Sequence, residues 1–195
     1  MNDQYYTQQP SSESKPKKIK AEADALELEF YTDNGVFSKS ELDEGTRILI
    51  ESLPALSGSV LDLGCGWGAV GIFASKKYPE ISITMADVNE RALELARLNA
   101  DANKVSAGIV KSDAFENIAS SFDFIITNPP IRIGKKLIYD MFKAAAEHLN
   151  PNGTLVLVIR KQQGAESALK FLTAIYKTTQ VLKKKKGYWI ISCKA

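Results

Sequence analysis

Strand-like and helix-like segments alternate from residue 59 to the end of the chain. Residues 60–63 and 154–160 are short apolar runs typical of buried strands, whereas residues 89–103 have the spacing of an amphipathic helix. This alternation predicts a mostly parallel sheet with helices on both faces. The last two predicted strands are separated only by Lys186-Gly187, which is too short for a parallel crossover, so the last strand is expected to be antiparallel. We therefore expect an α/β fold built around a seven-stranded sheet.

The length of 195 residues is that of one domain, within which we predict three sections. Residues 1–20 are polar and predict an N-terminal arm with little core of its own. Residues 21–58 are expected to form a hairpin and a helix. The alternation over residues 26–31 predicts a strand of that hairpin, which ends at Asn34-Gly35. Residues 59–195 are expected to form the core against which the 21–58 segment packs.

The composition argues against several classes of protein. Apolar residues make up 45% and charged residues 25% of the chain, which is ordinary for a soluble globular protein. No apolar run is long enough to span a bilayer, and the polar first twenty residues do not resemble a signal peptide, so we expect a cytoplasmic protein without a membrane partner. Cys65 and Cys193 are the only cysteines and suit a reducing compartment, and the single histidine, His148, offers no zinc-type cluster. No metal is expected.

A glycine-rich loop follows the first strand of the core and opens a helix. It reads Asp62-Leu63-Gly64-Cys65-Gly66-Trp67-Gly68, and glycines at such a turn let the backbone approach a ligand closely. Residues 66–71 also match the dinucleotide pattern GxGxxG, with Asp87 about 20 residues further on, where a ribose-binding acid is expected. The loop alone therefore leaves two cofactors open, a nicotinamide dinucleotide and S-adenosylmethionine.

Two further features favour S-adenosylmethionine. Asp62 stands two positions before the first glycine, where its carboxylate could meet the ammonium group of the methionine moiety. The fourth predicted strand of the core ends at Asn128-Pro129-Pro130, which a dinucleotide-binding enzyme leaves unexplained. An asparagine oxygen and a neighbouring backbone carbonyl can both accept hydrogen bonds from an amino group, which suits methylation of nitrogen.

With these motifs in this order, residues 59–195 resemble the class I S-adenosylmethionine methyltransferases. The resemblance implies a Rossmann-like sheet, S-adenosylmethionine as cofactor and a catalytic loop made of Asn128, Pro129 and Pro130. It implies that Asp87 holds the ribose and that residues 112–114 lie near the adenine. The cofactor-binding residues that it implies are Asp62, Gly64, Cys65, Gly66, Gly68, Asp87, Val88, Ser112, Asp113, Ala114 and Asn128.

A narrower resemblance covers nearly the whole chain. Residues 33–38 (Asp-Asn-Gly-Val-Phe-Ser), 42–46 (Leu-Asp-Glu-Gly-Thr) and 128–135 (Asn-Pro-Pro-Ile-Arg-Ile-Gly-Lys) are similar to motifs of the small-domain ribosomal-RNA guanine-N2 methyltransferases. This resemblance implies methylation of an exocyclic guanine nitrogen of 16S RNA, with ribosomal RNA or the small ribosomal subunit as partner. Larger members carry an additional N-terminal domain, for which 195 residues leave no room, so we expect a stand-alone catalytic domain that acts as a monomer.

The catalytic loop departs from the usual pattern at one position. Methyltransferases that act on extruded bases often carry an aromatic ring after the second proline, on which the base stacks, and here Ile131 takes that place. Phe37 is the first candidate to supply the ring instead, and Trp67 is the weaker one. The prolines stiffen the loop, and the main catalytic task is orientation of the reactants, which can contribute about 7–11 kcal/mol.

Basic residues are concentrated at the end of the chain. Residues 151–195 carry 9 basic and 1 acidic side chains, whereas residues 1–58 have a net charge of −5. We predict that the lysine run 183–186 ends a strand parallel to the others, so that it lies at the same edge of the sheet as the catalytic loop and contacts phosphates. The predicted substrate-binding residues are Phe37, Ile131, Arg132, Lys135, Arg160, Lys183, Lys184 and Lys185.

Three other interpretations remain open from the sequence. The same catalytic loop could act on a protein glutamine amide or on adenine N6. A nicotinamide-dependent oxidoreductase would use the glycine loop but lacks an evident proton donor. A non-catalytic RNA-binding module would retain the fold without the reaction.

Overall fold

The computed structural model describes residues 13–38, 40–130 and 134–195. Ile131 and Arg132, which the sequence predicts to bind substrate, lie outside the described residues. Within the described part of the chain there are nine strands and five α-helices.

Seven of the strands form one sheet. They are β3 (Ser59–Leu63), β4 (Ser82–Asp87), β5 (Ala107–Lys111), β6 (Phe122–Thr127), β7 (Leu149–Arg160), β8 (Thr178–Lys185) and β9 (Tyr188–Lys194). Their spatial order is β5-β4-β3-β6-β7-β9-β8. Only β9 runs antiparallel to its neighbours, β7 and β8, so β8 points the same way as the parallel strands. The predicted seven-stranded α/β sheet with an antiparallel last strand is confirmed.

Helices cover both faces of this sheet, each with its own apolar core. The first core contains side chains of α1, α2 and α3, and the second contains side chains of α4 and α5. Side-chain caps start two of the helices: Asp43 accepts the Thr46 N–H at the start of α1, and Asn89 accepts the Ala92 N–H at the start of α3. The helices are α1 (Glu44–Glu51), α2 (Ala69–Lys77), α3 (Glu90–Ala102), α4 (Lys135–Glu147) and α5 (Ala165–Ile175).

A separate two-stranded hairpin packs on the first core. It consists of β1 (Lys17–Ala23) and β2 (Leu26–Thr32), joined by Asp24 and Ala25, both of which have positive φ angles. The predicted strand over residues 26–31 is present as β2, and the hairpin ends at Thr32, just before Asn34-Gly35. The partner strand β1 precedes β2, and the tight turn between them contains no glycine.

Asn99 of α3 and Asn103, which follows the last residue of this helix, attach the hairpin to the core. Asn99 accepts the Tyr31 N–H and donates to the Tyr31 carbonyl, at 2.6 and 2.9 Å. Asn103 donates to the Glu29 carbonyl at 2.9 Å. Because β1 begins at Lys17, residues 17–20 of the predicted N-terminal arm belong to the hairpin. No helix of the described ranges is long and apolar enough to cross a membrane.

Candidate active site

A cavity of about 870 Å³ opens where β3, β4, β5 and β6 end. The chain order reverses here, since β3 has β4 on one side and β6 on the other, and such switch points are where open α/β sheets bind ligands. Thirteen of the predicted site residues line the cavity: Phe37, Asp62, Gly64, Cys65, Gly66, Asp87, Val88, Ser112, Asp113, Ala114, Asn128, Pro129 and Pro130.

The glycine loop forms one wall of the cavity. Gly64 and Gly66 have φ angles of +72° and +56°, and a Cβ atom added to either would meet no atom within 4 Å. The loop is held against the end of β4, because the N–H groups of Gly64 and Cys65 both donate to the Ala86 carbonyl, at 2.8 and 2.9 Å. The two glycines thus leave space that side chains would fill, as a cradle for a ligand requires.

Gly68 has a different role from the other two glycines of the loop. It is not among the residues that line the cavity; it precedes α2 with a φ angle of +89°. A Cβ there would lie 3.2 Å from the sulfur of Met85. Gly68 therefore allows close packing of α2 on β4.

Asp62 is the most deeply buried charged group of the cavity wall, with 2% of its surface exposed. One of its oxygens accepts the Gly71 N–H at 2.9 Å. Burial raises the pKa of Asp62 to about 7; the Gly71 hydrogen bond opposes the shift and the nearby charge of Asp87 adds to it. Ionised Asp62 is therefore unfavourable in the free protein and would be stabilised by a cation in the cavity.

Asp87 ends β4 and lies beside the glycine loop. Its carboxylate accepts the N–H of Gly66 at 2.8 Å and the N–H of Asn89 at 2.9 Å. Burial raises the pKa of Asp87, and these backbone hydrogen bonds partly oppose the shift. A carboxylate has about four acceptor positions, so capacity remains for the hydroxyl groups of a ligand.

The charges around the cavity have one sign. Three aspartates and a glutamate join Asp62 in its lining, whereas none of the described lining residues is Lys or Arg. Such a cavity attracts a positively charged ligand and disfavours phosphate groups. The described residues also contain no group of three or more His, Cys, Asp or Glu that could hold a metal ion. The added carboxylates are Asp87, Asp113, Glu116 and Asp140.

Asn128 follows β6 and reaches the cavity beside helix α1. Its Nδ2 donates to Thr46 Oγ1 at 2.9 Å and lies 3.4 Å from Asp43 Oδ2. The preceding residue, Thr127, is buried and donates its hydroxyl to the Leu63 carbonyl at 2.8 Å, which ties the ends of β6 and β3 together. Asp43 and Thr46 belong to the motif at residues 42–46 and were not predicted as site residues, because their contact with Asn128 joins residues more than 80 positions apart.

Two partly exposed apolar side chains line the mouth of the cavity. Phe37 is 38% exposed, and its carbonyl accepts the indole N–H of Trp67 at 3.0 Å. Leu137, on α4, is 56% exposed and was not among the predicted site residues. Its signal was weak, because it stands beside Ile138 in the first turn of α4 and the sequence does not show which of the two is buried.

Of the predicted basic residues, those that the structure describes lie at the same edge of the sheet but outside the cavity. The Arg160 guanidinium lies 4.8 Å from the centre of the Tyr188 ring, and Lys184 Nζ lies 3.7 Å from that of Trp189. Tyr188 pairs with Arg160 across β9 and β7, which places both stacks near the carboxyl end of β7. Lys135 lies farther along, over the ring of Tyr139 at 5.3 Å.

Ion pairs with the 21–58 segment reduce the positive charge of the lysine run. Lys185 pairs with Glu51 at 2.9 Å, and Lys186 pairs with Glu44 at 2.8 Å. Both glutamates belong to α1, so the acidic beginning of the chain lies against its basic end. Lys183 is exposed and has no ion pair among those found in the described residues, which leaves it and Lys184 as the main carriers of charge in the run.

The family profile of the methyltransferase small domain matches residues 27–192. A Bacillus subtilis protein described as uncharacterized protein YbxB is 42% identical over 199 residues, which covers 100% of this chain and 99% of that protein. The ribosomal RNA small subunit methyltransferase C of Vibrio parahaemolyticus is 40% identical over 141 residues, or 70% of this chain. This chain spans only 40% of the length of that enzyme.

A solved structure shows the same fold. The 16S rRNA N2 G1207 methyltransferase of Thermus thermophilus, in complex with AdoMet and guanosine, superposes with a TM-score of 0.84 at 24% identity. The match covers 95% of this chain and 52% of that one. Together with the profile match over residues 27–192, these likenesses confirm the resemblance drawn from the motifs. The chain belongs to the methyltransferase small domain family.

Proposed function

We propose that the cavity binds S-adenosylmethionine and that the protein transfers its methyl group to the exocyclic N2 of a guanine in 16S ribosomal RNA. The observation that carries this proposal is the position of Asn128 at the wall of a cavity lined by carboxylates and free of Lys and Arg among its described residues. Membership of the family supports methyl transfer in general, and the proposal adds guanine N2 as the methyl acceptor.

The residues of the cavity fit S-adenosylmethionine better than a dinucleotide. Asp62 would pair with the ammonium group, which would offset the cost of ionising a buried carboxylate. Asp87 would accept hydrogen bonds from the ribose hydroxyls, and the open space at Gly64 and Gly66 would admit the methionine chain. The pyrophosphate of a dinucleotide would instead bring negative charge to a wall that holds Asp62 and Asp87, which argues against the oxidoreductase alternative.

The adenine would lie near the end of β5. Ser112, Asp113 and Ala114 line the cavity there, and the apolar side chains of Val88 and Phe115 line it as well. Apolar walls with a few polar groups are what a purine requires for packing and orientation.

When bound, S-adenosylmethionine supplies a methyl group activated by a positively charged sulfur. The protein's own residues orient the acceptor. Asn128 Oδ1 and the Pro129 carbonyl would accept hydrogen bonds from the amino group of the base, which fixes the nitrogen and aligns its lone pair with the methyl group. Pro129 and Pro130 keep this loop stiff. Alignment rather than a strong base is thus the contribution of the catalytic loop.

RNA would approach across the mouth of the cavity. Phe37 and Leu137 offer apolar contact to an extruded base, with Phe37 as the stacking ring. Arg160, Lys183 and Lys184 lie along the same edge of the sheet, where phosphates flanking that base could contact them. The names of the relatives, a small-subunit rRNA methyltransferase and a 16S rRNA N2 methyltransferase bound to guanosine, favour guanine N2 over the other acceptors.

Methyl transfer from labelled S-adenosylmethionine to purified 30S particles and to naked 16S RNA tests the proposal, with the modified nucleoside identified by mass spectrometry. N2-methylguanosine is expected. N6-methyladenosine or a methylated ribosomal protein would show that the loop acts on another acceptor. Calorimetry with S-adenosylmethionine and NADH separates the cofactors, and binding of NADH alone would overturn the proposal.

A further inference from the structure

We propose that Thr46 and Asp43 are positioning residues that fix the side-chain amide of Asn128, so that its oxygen rather than its nitrogen faces the acceptor. The inference rests on the proposed function for the identity of the acceptor. The orientation of the amide itself is a property of the free protein.

The chemistry of the two partners defines the orientation of Asn128. An asparagine amide has a donor nitrogen and an acceptor oxygen on opposite sides, and its partners decide which side faces which way. On the α1 side, Asn128 meets Thr46 Oγ1 at 2.9 Å and Asp43 Oδ2 at 3.4 Å. A carboxylate only accepts hydrogen bonds, so the opposite orientation would set two acceptor oxygens against each other. The nitrogen therefore faces α1.

The hydroxyl group of Thr46 completes the arrangement. It lies 3.4 Å from Asp43 Oδ2, toward which its proton points, and this leaves its lone pairs for Asn128. Asp43 Oδ2 also accepts the Thr46 N–H at 3.0 Å as the cap of α1. One carboxylate oxygen thus sets the start of the helix, the direction of the Thr46 hydroxyl and the direction of the Asn128 amide.

Thr46 is only 7% exposed, whereas its partners Asp43 and Asn128 are half-buried. The ring of Tyr188 packs against Gly45, where an added Cβ would lie 2.7 Å from the ring and 3.0 Å from Asp43 Oδ2. Gly45 therefore allows the ring of Tyr188 to lie beside the network.

The consequence for the reaction is that the side-chain oxygen of Asn128 is held in place as a hydrogen-bond acceptor. With its nitrogen held by Thr46 and Asp43, Asn128 presents its oxygen to the amino group of the base without a competing orientation. The Asn128 nitrogen donates to the Thr46 hydroxyl, which itself donates to the Asp43 carboxylate. This chain of hydrogen bonds also increases the negative charge on the amide oxygen, which strengthens its hydrogen bond to an amino group.

Nuclear magnetic resonance of the free protein tests the orientation without any reaction. The variants are Thr46→Val, which keeps the shape but lacks the hydroxyl, and Thr46→Ser, which keeps the hydroxyl. The side-chain NH₂ signal of Asn128, assigned by its loss in Asn128→Ala, is expected to shift upfield in Thr46→Val with hydrogen exchange about five- to tenfold faster, the equivalent of one lost hydrogen bond. Thr46→Ser should retain the wild-type signal. An unchanged signal in Thr46→Val would overturn the inference.

Kinetics on the same variants test whether Thr46 acts through Asn128. Thr46→Val is expected to lower kcat about tenfold, with the affinity for S-adenosylmethionine within twofold of wild type, and Thr46→Ser should restore the rate. In an Asn128→Ala background, Thr46→Val should cause no further loss. A further tenfold loss in that background would overturn the positioning role. If the wild-type protein methylates no RNA, the proposed function fails, while the resonance measurement still decides the orientation of the amide.

Discussion

Replacement of Asp62 by asparagine should remove an unusual dependence of stability on pH. Burial raises the pKa of Asp62 from 3.8 to about 7, so between about pH 4 and 7 the folded protein holds a proton that the unfolded chain releases. The free energy of unfolding contributed by this group therefore falls as the pH rises, by up to about 1.4 kcal/mol per pH unit, and is constant above pH 7. Asparagine does not titrate and lacks this loss.

The magnitude follows from the two ends of the range. Between pH 5 and pH 8 the ionisation of Asp62 should lower the stability of the wild-type protein by about 2.5 kcal/mol relative to Asp62→Asn. Urea unfolding followed by tryptophan fluorescence at both pH values measures this difference. A stability difference between the two proteins that is the same at pH 5 and pH 8 would refute the reasoning.

Asp123 provides the matched control. The Asn150 amide and the backbone N–H of Ser59 hold the pKa of Asp123 below its usual value of 3.8. Its contribution to stability is therefore complete above about pH 4 and is lost only at lower pH. Asp123→Asn should destabilise the protein equally at pH 5 and pH 8, in contrast to Asp62→Asn.

The affinity for a ligand with an ammonium group should depend on the ionisation of Asp62. S-adenosylhomocysteine keeps the ammonium group of the cofactor, so its proposed contact with Asp62 requires the ionised acid. Calorimetry should show affinity about tenfold weaker at pH 6 than at pH 8, because the ionised fraction falls about tenfold. Asp62→Asn should bind weakly at both pH values, and a wild-type affinity that does not change with pH would remove Asp62 from the ammonium site.

Three further predictions concern the catalytic loop, the mouth and the charged edge. Asn128→Ala should reduce methyl transfer at least 100-fold with cofactor affinity within a few-fold of wild type, an expectation on the order of the loss of a precisely placed hydrogen-bonding group; unchanged turnover would exclude the residue. Phe37→Ala should raise KM for RNA about tenfold while Phe37→Trp retains it, since base stacking is worth about 1–3 kcal/mol; equal KM values would exclude stacking. Joint replacement of Lys183 and Lys184 by serine should lower the slope of log affinity against log salt by about 1.4, at roughly 0.7 per phosphate contact. Lys76→Ser, at the far end of α2, should leave that slope unchanged.

The architecture of the sheet could be predicted because its signals are local. Apolar runs mark the strands, and the two-residue connection at Lys186-Gly187 permits only an antiparallel last pair. The turn of the first hairpin could not be predicted in the same way, because Asp24 and Ala25 adopt positive φ angles that glycine usually supplies. The strand 26–31 was therefore correctly predicted but its partner was not.

The candidate site shows the same division. The motif residues of the glycine loop line the cavity, but nothing local distinguishes Gly66, which faces open space, from Gly68, which packs on Met85. The pairing of Lys185 with Glu51 joins residues 134 positions apart and depends on how α1 crosses the sheet. The contact of Thr46 with Asn128 likewise needed the tertiary structure.

The hydrogen bonds of Trp67 indicate which part of the chain a fragment must contain in order to form the cavity. Its indole N–H holds the Phe37 carbonyl, and its own carbonyl accepts from Asn99, which also holds the backbone of Tyr31. Trp67, a residue of the glycine loop, thus bonds both to the segment that follows the hairpin and to helix α3. The smallest fragment able to build the cavity therefore has to include β2 and the residues up to Phe37. A piece that begins at residue 59 would lose one wall of the binding site, together with the side chains of β2 and α1 that fill part of the first core.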